Sequence, residues 1–292
     1  MNSLAGFNEF GTLKLVAVRT PEHAYISDEK IAAEWQPLRF YSAPKFNGAV
    51  DEHREFVRKL EAAGAEVVLL GGDDALTLDA IYARDALLVS PKGLILCHMG
   101  RKGRRGEPAV NAKELEVRGL PVLGEITAPG TIEGGDIIWL SDTAVAVGEG
   151  PRTNAEGIRQ FKALLGPEVD VHTVPLPAPE HPEDVFHLMS MISPLDRDLA
   201  LIYRPLMPQS FVEWLEGHGI AFVEVPEDEF IPMGCNVLAL GPRNILMLDR
   251  LPGTKARMEA AGCTVDTYKG DEISRKGEGG PTCLTRPLIR GD

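Results

Sequence analysis

Five times along this chain an amphipathic helical stretch ends on a glycine and gives way to a short β-rich run. The segments are EFVRKLEAAGAEVVLL through Gly64, KELEVRGLPVLGEI through Gly119, IRQFKALLGPEVDVHTV through Gly166, FVEWLEGHGIAFVEV through Gly219 and KARMEAAGCTVDTY through Gly262. A glycine just past a helix takes the left-handed conformation that a side chain makes costly, so this punctuation has a physical cause. The glycines are 55, 47, 53 and 43 residues apart. Between them lie apolar, hairpin-like pairs of runs such as ALLVSPKGLILCH, DIIWLSDTAVAVG and NVLALGPRNILMLD. Each unit therefore reads as one helix with about three strands.

The register after each glycine carries the argument further. Asp85 lies 21 residues past Gly64, Asp136 lies 17 past Gly119, and His187 lies 21 past Gly166. Asn236 lies 17 past Gly219, and Cys283 lies 21 past Gly262. Each of these polar residues stands at the threshold of an apolar strand. In a closed ring of equivalent units they would face one another across a central pocket. A doubly wound parallel sheet is the competing architecture, but no unit carries the G-x-G-x-x-G turn of its dinucleotide-binding members. The expectation is an α/β ring forming one domain over residues 1–292.

Composition narrows the partners. The net charge is −13, and both nucleic acid and anionic membranes reward a basic surface, so neither is expected as a partner. The four cysteines, Cys97, Cys235, Cys263 and Cys283, show neither C-x-x-C pairing nor zinc-ligand spacing. No leader-like or membrane-length apolar run is evident, and the expected setting is cytoplasmic with reduced thiols. The run GRKGRRGE reads as a solvated loop or an anion contact, and GGDD lacks the spaced ligands of a calcium loop. No metal or organic cofactor is expected.

The residues at the shared register suggest chemistry. A lone cysteine is most often a small buried hydrophobe, yet Cys283 follows Gly-Gly-Pro-Thr and precedes an apolar run, where the backbone can come close to a ligand. A reactive thiol needs a base or a cation beside it, and His187 is the candidate, although by itself it could equally be a core histidine. Glu133 and Asp136 flank a Gly-Gly pair among apolar runs, and Asp79 and Asp85 have similar surroundings. Such carboxylates are costly to bury without a cation. Guanidinium is the side-chain-sized planar cation that donates bidentate hydrogen bonds to carboxylates.

At this point the motifs DAIYARDALLV, RRGE, IEGGD, VGEGPRTNAEG, HLMSM, CNVLAL and GGPTCLTRPL resemble, in order, those of the guanidino-group-modifying enzymes. That group, the penteins, includes dimethylarginine dimethylaminohydrolase, arginine deiminase and the amidinotransferases. The resemblance spans about residues 79 to 288 and implies a five-bladed α/β propeller. It implies Cys283 as nucleophile, His187 as acid and base, and Glu133 as the acid assisting His187. Asp85 would bind the guanidinium, Asp79 would support it, and Arg104 and Arg152 would hold the substrate carboxylate. By register, Asp136 and Asn236 join the substrate-binding set. His187-Leu-Met-Ser is close to the pattern of the dimethylarginine enzymes, where arginine deiminases commonly place an Asp at the Met189 position. Arg84 and the long stretch at about residues 20–50, a candidate substrate lid, point the other way.

The function implied is hydrolysis of a methylated arginine to citrulline and an amine through a covalent thiouronium, with a small guanidino compound as partner and a homodimer left open. Hydrolysis of unmodified arginine and amidino transfer are the neighbouring readings. A non-catalytic propeller serving as a binding module is the reading from another class.

Overall fold

The computed structural model describes residues 7–178 and 186–291. Strand β1 (Leu13–Val18) is followed by helices α1 (Pro21–Ala24), α2 (Asp28–Glu34) and α3 (Phe46–Ala62), then β2 (Glu66–Leu69). Next come β3 (Leu87–Ser90), β4 (Gly93–Leu96), α4 (Glu107–Glu116) and β5 (Val122–Glu125). The same order returns in β6 (Ile137–Ser141), β7 (Ala144–Glu149), α5 (Ala155–Leu165) and β8 (Asp170–Pro175). It returns again in β9 (Ile192–Asp196), β10 (Leu199–Ile202), α6 (Gln209–Gly217) and β11 (Ala221–Glu224). After the short α7 (Glu227–Phe230) come β12 (Leu238–Gly241), β13 (Asn244–Leu248), α8 (Pro252–Ala260), β14 (Thr264–Tyr268) and finally β15 (Arg286–Arg290).

These strands make five separate three-stranded sheets, which rules out a doubly wound sheet. In every sheet the middle strand pairs antiparallel with the first and parallel with the third. The parallel step needs a crossover, and the helix supplies it. One sheet joins the two ends of the chain, since β15 pairs with β1. The protein is thus a five-bladed α/β propeller closed by its own last strand.

The sequence explains the layering. Inner strands are buried on both faces and read as unbroken apolar runs, as in LLVS of β3 and LALI of β10. Outer strands alternate, as in EVVL of β2 and AFVE of β11, where one residue in each is buried. The helices cover the sheets with spaced apolar positions. In α5 these are Ile158, Phe161 and Leu165, and the Asn154 side chain accepts from the Gly157 N–H to cap its start. Such a cap stabilises a helix by about 1 kcal/mol. All five helix-ending glycines have left-handed φ, from +76° to +91°.

Contacts between successive blades complete the ring at the level of the register residues. The Arg84 N–H donates to the Cys283 carbonyl at 3.1 Å. The Gly135 N–H donates to Asp85 Oδ1 at 3.1 Å, and the Leu188 N–H to Asp136 Oδ1 at 2.9 Å. Ser193 Oγ donates to the Cys235 carbonyl at 2.7 Å, and Asn236 Nδ2 lies 3.1 Å from Cys283 Sγ. Each blade therefore touches the next through the turn that leads into its first strand. Among the described residues no helix is long and apolar enough to cross a membrane.

Part of the stretch expected as a lid is anchored in the core, where Tyr25, Ile31 and Phe40 are buried in a cluster that includes α3 and β14 residues. Tyr41, in the same stretch, lines the pocket and donates its hydroxyl to Glu278 at 2.7 Å.

Candidate active site

Turns at one end of the ring enclose a cavity of about 180 Å³. Cys283, His187, Asp85 and Asn236 line it, together with Asp79, Arg101, Arg104 and Arg152. Phe186, Met189, Phe230, Ile231 and Met233 add apolar surface to its lining.

Glu133 is the fully buried centre of the polar wall. Its Oε1 accepts from the Arg101 N–H at 3.1 Å, while Oε2 accepts from Arg152 Nη1 at 3.0 Å and lies 2.9 Å from His187 Nε2. Burial alone would raise this carboxyl, but His187 and Arg152 outweigh it and hold the group well below the usual carboxylate range. Burial would likewise lower the imidazole of His187. Asp136, Asp85 and Glu133 reverse that and push it up to about 9. The imidazole is therefore a cation at neutral pH.

The turn that carries Glu133 is possible only with glycine. A β-carbon on Gly134 would sit 2.1 Å from the Arg84 carbonyl oxygen, and one on Gly135 would sit 2.6 Å from His187 Nδ1. The Gly-Gly pair thus brings one blade's backbone against the imidazole of the next. Near the nucleophile candidate, Gly279 and Gly280 pack against the Tyr82 ring and the Asn236 side chain, and Gly279 also lines the cavity.

Burial pushes the Cys283 thiol up to about 11 and the charge of Asp85 adds to this, while the hydrogen bond from Asn236 and the charge of Arg84 oppose it. The resting pair is therefore a neutral thiol and an imidazolium. Asp85 accepts from Arg104 Nη1 at 2.5 Å. Asp85, Glu133 and His187 bring donor atoms within 4.8 Å of one another, a spacing suited to one cation. Arg104 and Arg152 already bond the two carboxylates, which leaves little charge for a metal ion and favours a weakly hydrated, hydrogen-bonding cation.

Two of the expected residues are held in contacts of their own. Asp136 belongs to the wall behind the pocket, where it accepts from the Thr153 hydroxyl at 2.6 Å and from the Leu188 N–H. Its carboxyl is pushed up to about 6 by burial, against the pull of His187. Arg104 lines the cavity, but its guanidinium is already engaged. Its three nitrogens are spent on both oxygens of Glu107, on Asp85 and on the Tyr82 carbonyl.

Asp79 stands at the pocket wall in an ion pair with Arg101 at 2.7 Å, and Arg101 Nη2 reaches the Leu38 carbonyl at 2.9 Å. Sequence reasoning missed Arg101, treating GRKGRRGE as one loop. The pattern of one arginine every three residues, Arg101 and Arg104, was the available signal. It also missed Glu9, which pairs with Arg84 at 3.0 Å, both being buried. No local signal marks that acid.

A family model described as eukaryotic N,N dimethylarginine dimethylhydrolase matches residues 39–290. A Bacillus subtilis protein, YkgA, is 31% identical over 97% of this chain and 94% of its own length. The N(G),N(G)-dimethylarginine dimethylaminohydrolase of Pseudomonas aeruginosa is 28% identical over 83% of this chain and 89% of its own. A solved Cys-to-Ser variant of the Pseudomonas aeruginosa enzyme, in complex with citrulline, superposes with TM-score 0.76 at 25% identity, covering 96% of this chain and all (100%) of that one. The N-terminal domain of ArgZ, a cyanobacterial arginine dihydrolase, has TM-score 0.78 at 20% identity over 94% and 97% of the two chains, a likeness of fold. With the motifs in order, the five-bladed ring and a model matched from residue 39 to 290, the chain belongs to the dimethylarginine dimethylaminohydrolase family of the penteins and is an amidine hydrolase of that type.

Proposed function

We propose that this enzyme hydrolyses Nω-methylated arginines to citrulline and methylamine or dimethylamine, with Cys283 as nucleophile and His187 as acid and base. The observation that carries the choice of substrate is Met189, buried at the pocket wall two residues past His187. A bare guanidinium presents N–H groups in every direction and wants an acceptor on each side. A thioether satisfies none of them well, but packs favourably against methyl groups. Arg84, which might have marked a deiminase, is committed to Glu9 and to the Thr282 carbonyl.

The charges support the chemistry. A guanidinium settling between Asp85 and Glu133 neutralises Asp85, one of the groups that holds the Cys283 proton on. The Cys283 proton is released to solvent, and the thiolate so formed attacks the guanidinium carbon. Imidazolium His187 then gives its proton to the departing alkylamine as the C–N bond breaks, leaving a thiouronium on Cys283. Neutral His187 next takes a proton from water, whose oxygen attacks the same carbon. The C–S bond breaks, the sulfur leaves as thiolate and takes up the remaining hydroxyl proton, and the new C–O bond becomes the ureido carbonyl. One residue serves as acid in the first half and base in the second. Arg152, beside Glu133, is the proposed anchor for the substrate carboxylate, and Asp79 and Arg101 shape the same distal wall.

The test is a substrate panel on the purified protein, with Cys283→Ser as control. Arginine, monomethylarginine, asymmetric dimethylarginine and agmatine are compared by ureido product and released amine. Preference for the methylated compounds is expected, and no turnover by Cys283→Ser. Faster turnover of plain arginine would overturn the substrate assignment, and turnover by the serine variant would overturn the nucleophile.

A further inference from the structure

Beneath the nucleophile, on the propeller axis, lies a group of charges that the proposed reaction does not use. Arg84, Arg286 and Arg290 are all buried, and the acid beside them is Glu9, also buried. Arg84 Nη1 pairs with Glu9 Oε2 at 3.0 Å. Its Nε donates to the Thr282 carbonyl at 3.1 Å, and its backbone N–H donates to the Cys283 carbonyl at 3.1 Å. Arg84 therefore holds both carbonyls of the Thr282–Cys283 turn from below. Arg286 in turn donates to the Arg84 carbonyl at 3.3 Å and to the Leu87 carbonyl at 3.0 Å.

We propose that Arg84, braced by Glu9, is a positioning residue for Cys283: it fixes the turn that carries the sulfur and keeps a positive charge beneath it. Three guanidinium groups against one carboxylate leave the axis electropositive. The pressure shows in Arg286, which burial and the nearby charge of Arg84 push down to about 9. A thiolate on Cys283 is the anion that such an axis stabilises. The other charged or titratable groups around the sulfur are Asp85 from the turn before β3, Tyr82 from the preceding turn, Tyr268 from β14 and His187 across the cavity. Asp85 opposes the thiolate, and Arg84 counters Asp85 from the neighbouring position in the chain. A guanidinium substrate then has less to overcome in ionising the thiol than burial and Asp85 alone would impose.

The proposal rests on Cys283 as nucleophile, but its test reads the thiol directly. The substrate-free protein is alkylated with iodoacetamide across a range of pH, and modification of Cys283 is followed by peptide mass spectrometry. Arg84→Gln is expected to raise the midpoint by about one unit, a drop of about tenfold in alkylation rate below it. Arg84→Lys keeps the charge and should recover most of that rate. Glu9→Gln removes the compensating anion and should shift the midpoint the other way, speeding alkylation about threefold, or half a unit. Opposite shifts separate an electrostatic role from simple loosening of the turn, which would move both variants alike. An unchanged midpoint in Arg84→Gln, or shifts of the same sign in the two neutral variants, would overturn the proposal. If Arg84→Gln does not fold, the Lys and Glu9→Gln variants decide by the same signs. A wrong nucleophile would instead show as turnover by Cys283→Ser, with these titrations unaffected.

Discussion

Replacing Glu133 with Gln tests the charge pairing at the centre of the pocket. The carboxylate is fully buried and meets three donors, Arg101, Arg152 and His187, at 3.1, 3.0 and 2.9 Å. A glutamine of the same shape can still accept from the Arg101 N–H, so the turn should survive. What it cannot do is offset charge. A hydrogen bond to a charged group contributes about 1.5–3 kcal/mol, and each pKa unit is worth about 1.4 kcal/mol. The imidazole should therefore fall by about 1 to 2 units from its value of about 9. The basic limb of the pH–kcat profile should move down by the same amount, because the acid that protonates the leaving amine is then lost at lower pH. Stability carries a second signature. The folded pKa of His187 lies above its ordinary 6.5, so its contribution is complete below about pH 6.5 and is lost as pH rises through about 9. That contribution is on the order of 3 kcal/mol. Glu133 is depressed, so its contribution is present above the ordinary carboxylate pKa and disappears as pH falls. The variant should lose the Glu133 dependence and part of the His187 one, and with the Glu133 charge gone from beside Arg152 it should be about 3–5 kcal/mol less stable near neutrality. Titration of the His187 ring protons by NMR and urea melts at several pH values measure these effects. A folded Glu133→Gln variant whose His187 midpoint stays at the wild-type pH would refute the reasoning.

Asn236→Ala removes the donor 3.1 Å from Cys283 Sγ and leaves the Thr282 N–H without its acceptor. Turnover should fall about tenfold or more, equivalent to at least about 1.4 kcal/mol, with about 1–3 kcal/mol of stability lost; steady-state kinetics and thermal melts check both. Gly157→Ala would place its β-carbon 2.0 Å from the Thr131 carbonyl oxygen, and a loss of about 1–3 kcal/mol in urea unfolding is expected. Gly217→Ala, at the end of α6 with open space around it, should instead gain about 0.5–1 kcal/mol.

Much of the site could be read from local pattern. The helix-ending glycines and the polar residues 17 or 21 positions beyond them were enough to place Cys283, His187, Asp85 and Asn236 at one pocket. A repeated unit forces equivalent positions to one radius of the ring, and that holds whatever the side chains are. Asp136 shared the register but not the role. Its carboxylate turns back to the Thr153 hydroxyl and the Leu188 N–H, and register says nothing of side-chain direction. Arg104 was sought as a contact for substrate, yet Glu107, three residues on along the chain, takes its Nε and Nη2, and Asp85 takes its Nη1.

The sequence by itself determined the unit, its number, its register and the residue types that meet at the centre. Those follow from forces acting over a few residues: helix periodicity, the left-handed glycine stop, and apolar runs that must be buried. Tertiary structure alone decided which charges pair. Arg84 finds Glu9 across 75 positions, and His187 finds Glu133 across 54. Nothing in either neighbourhood foretells the other, because a buried ion takes whichever counter-ion the closed ring brings within reach. Only closure of β15 on β1 brings them there.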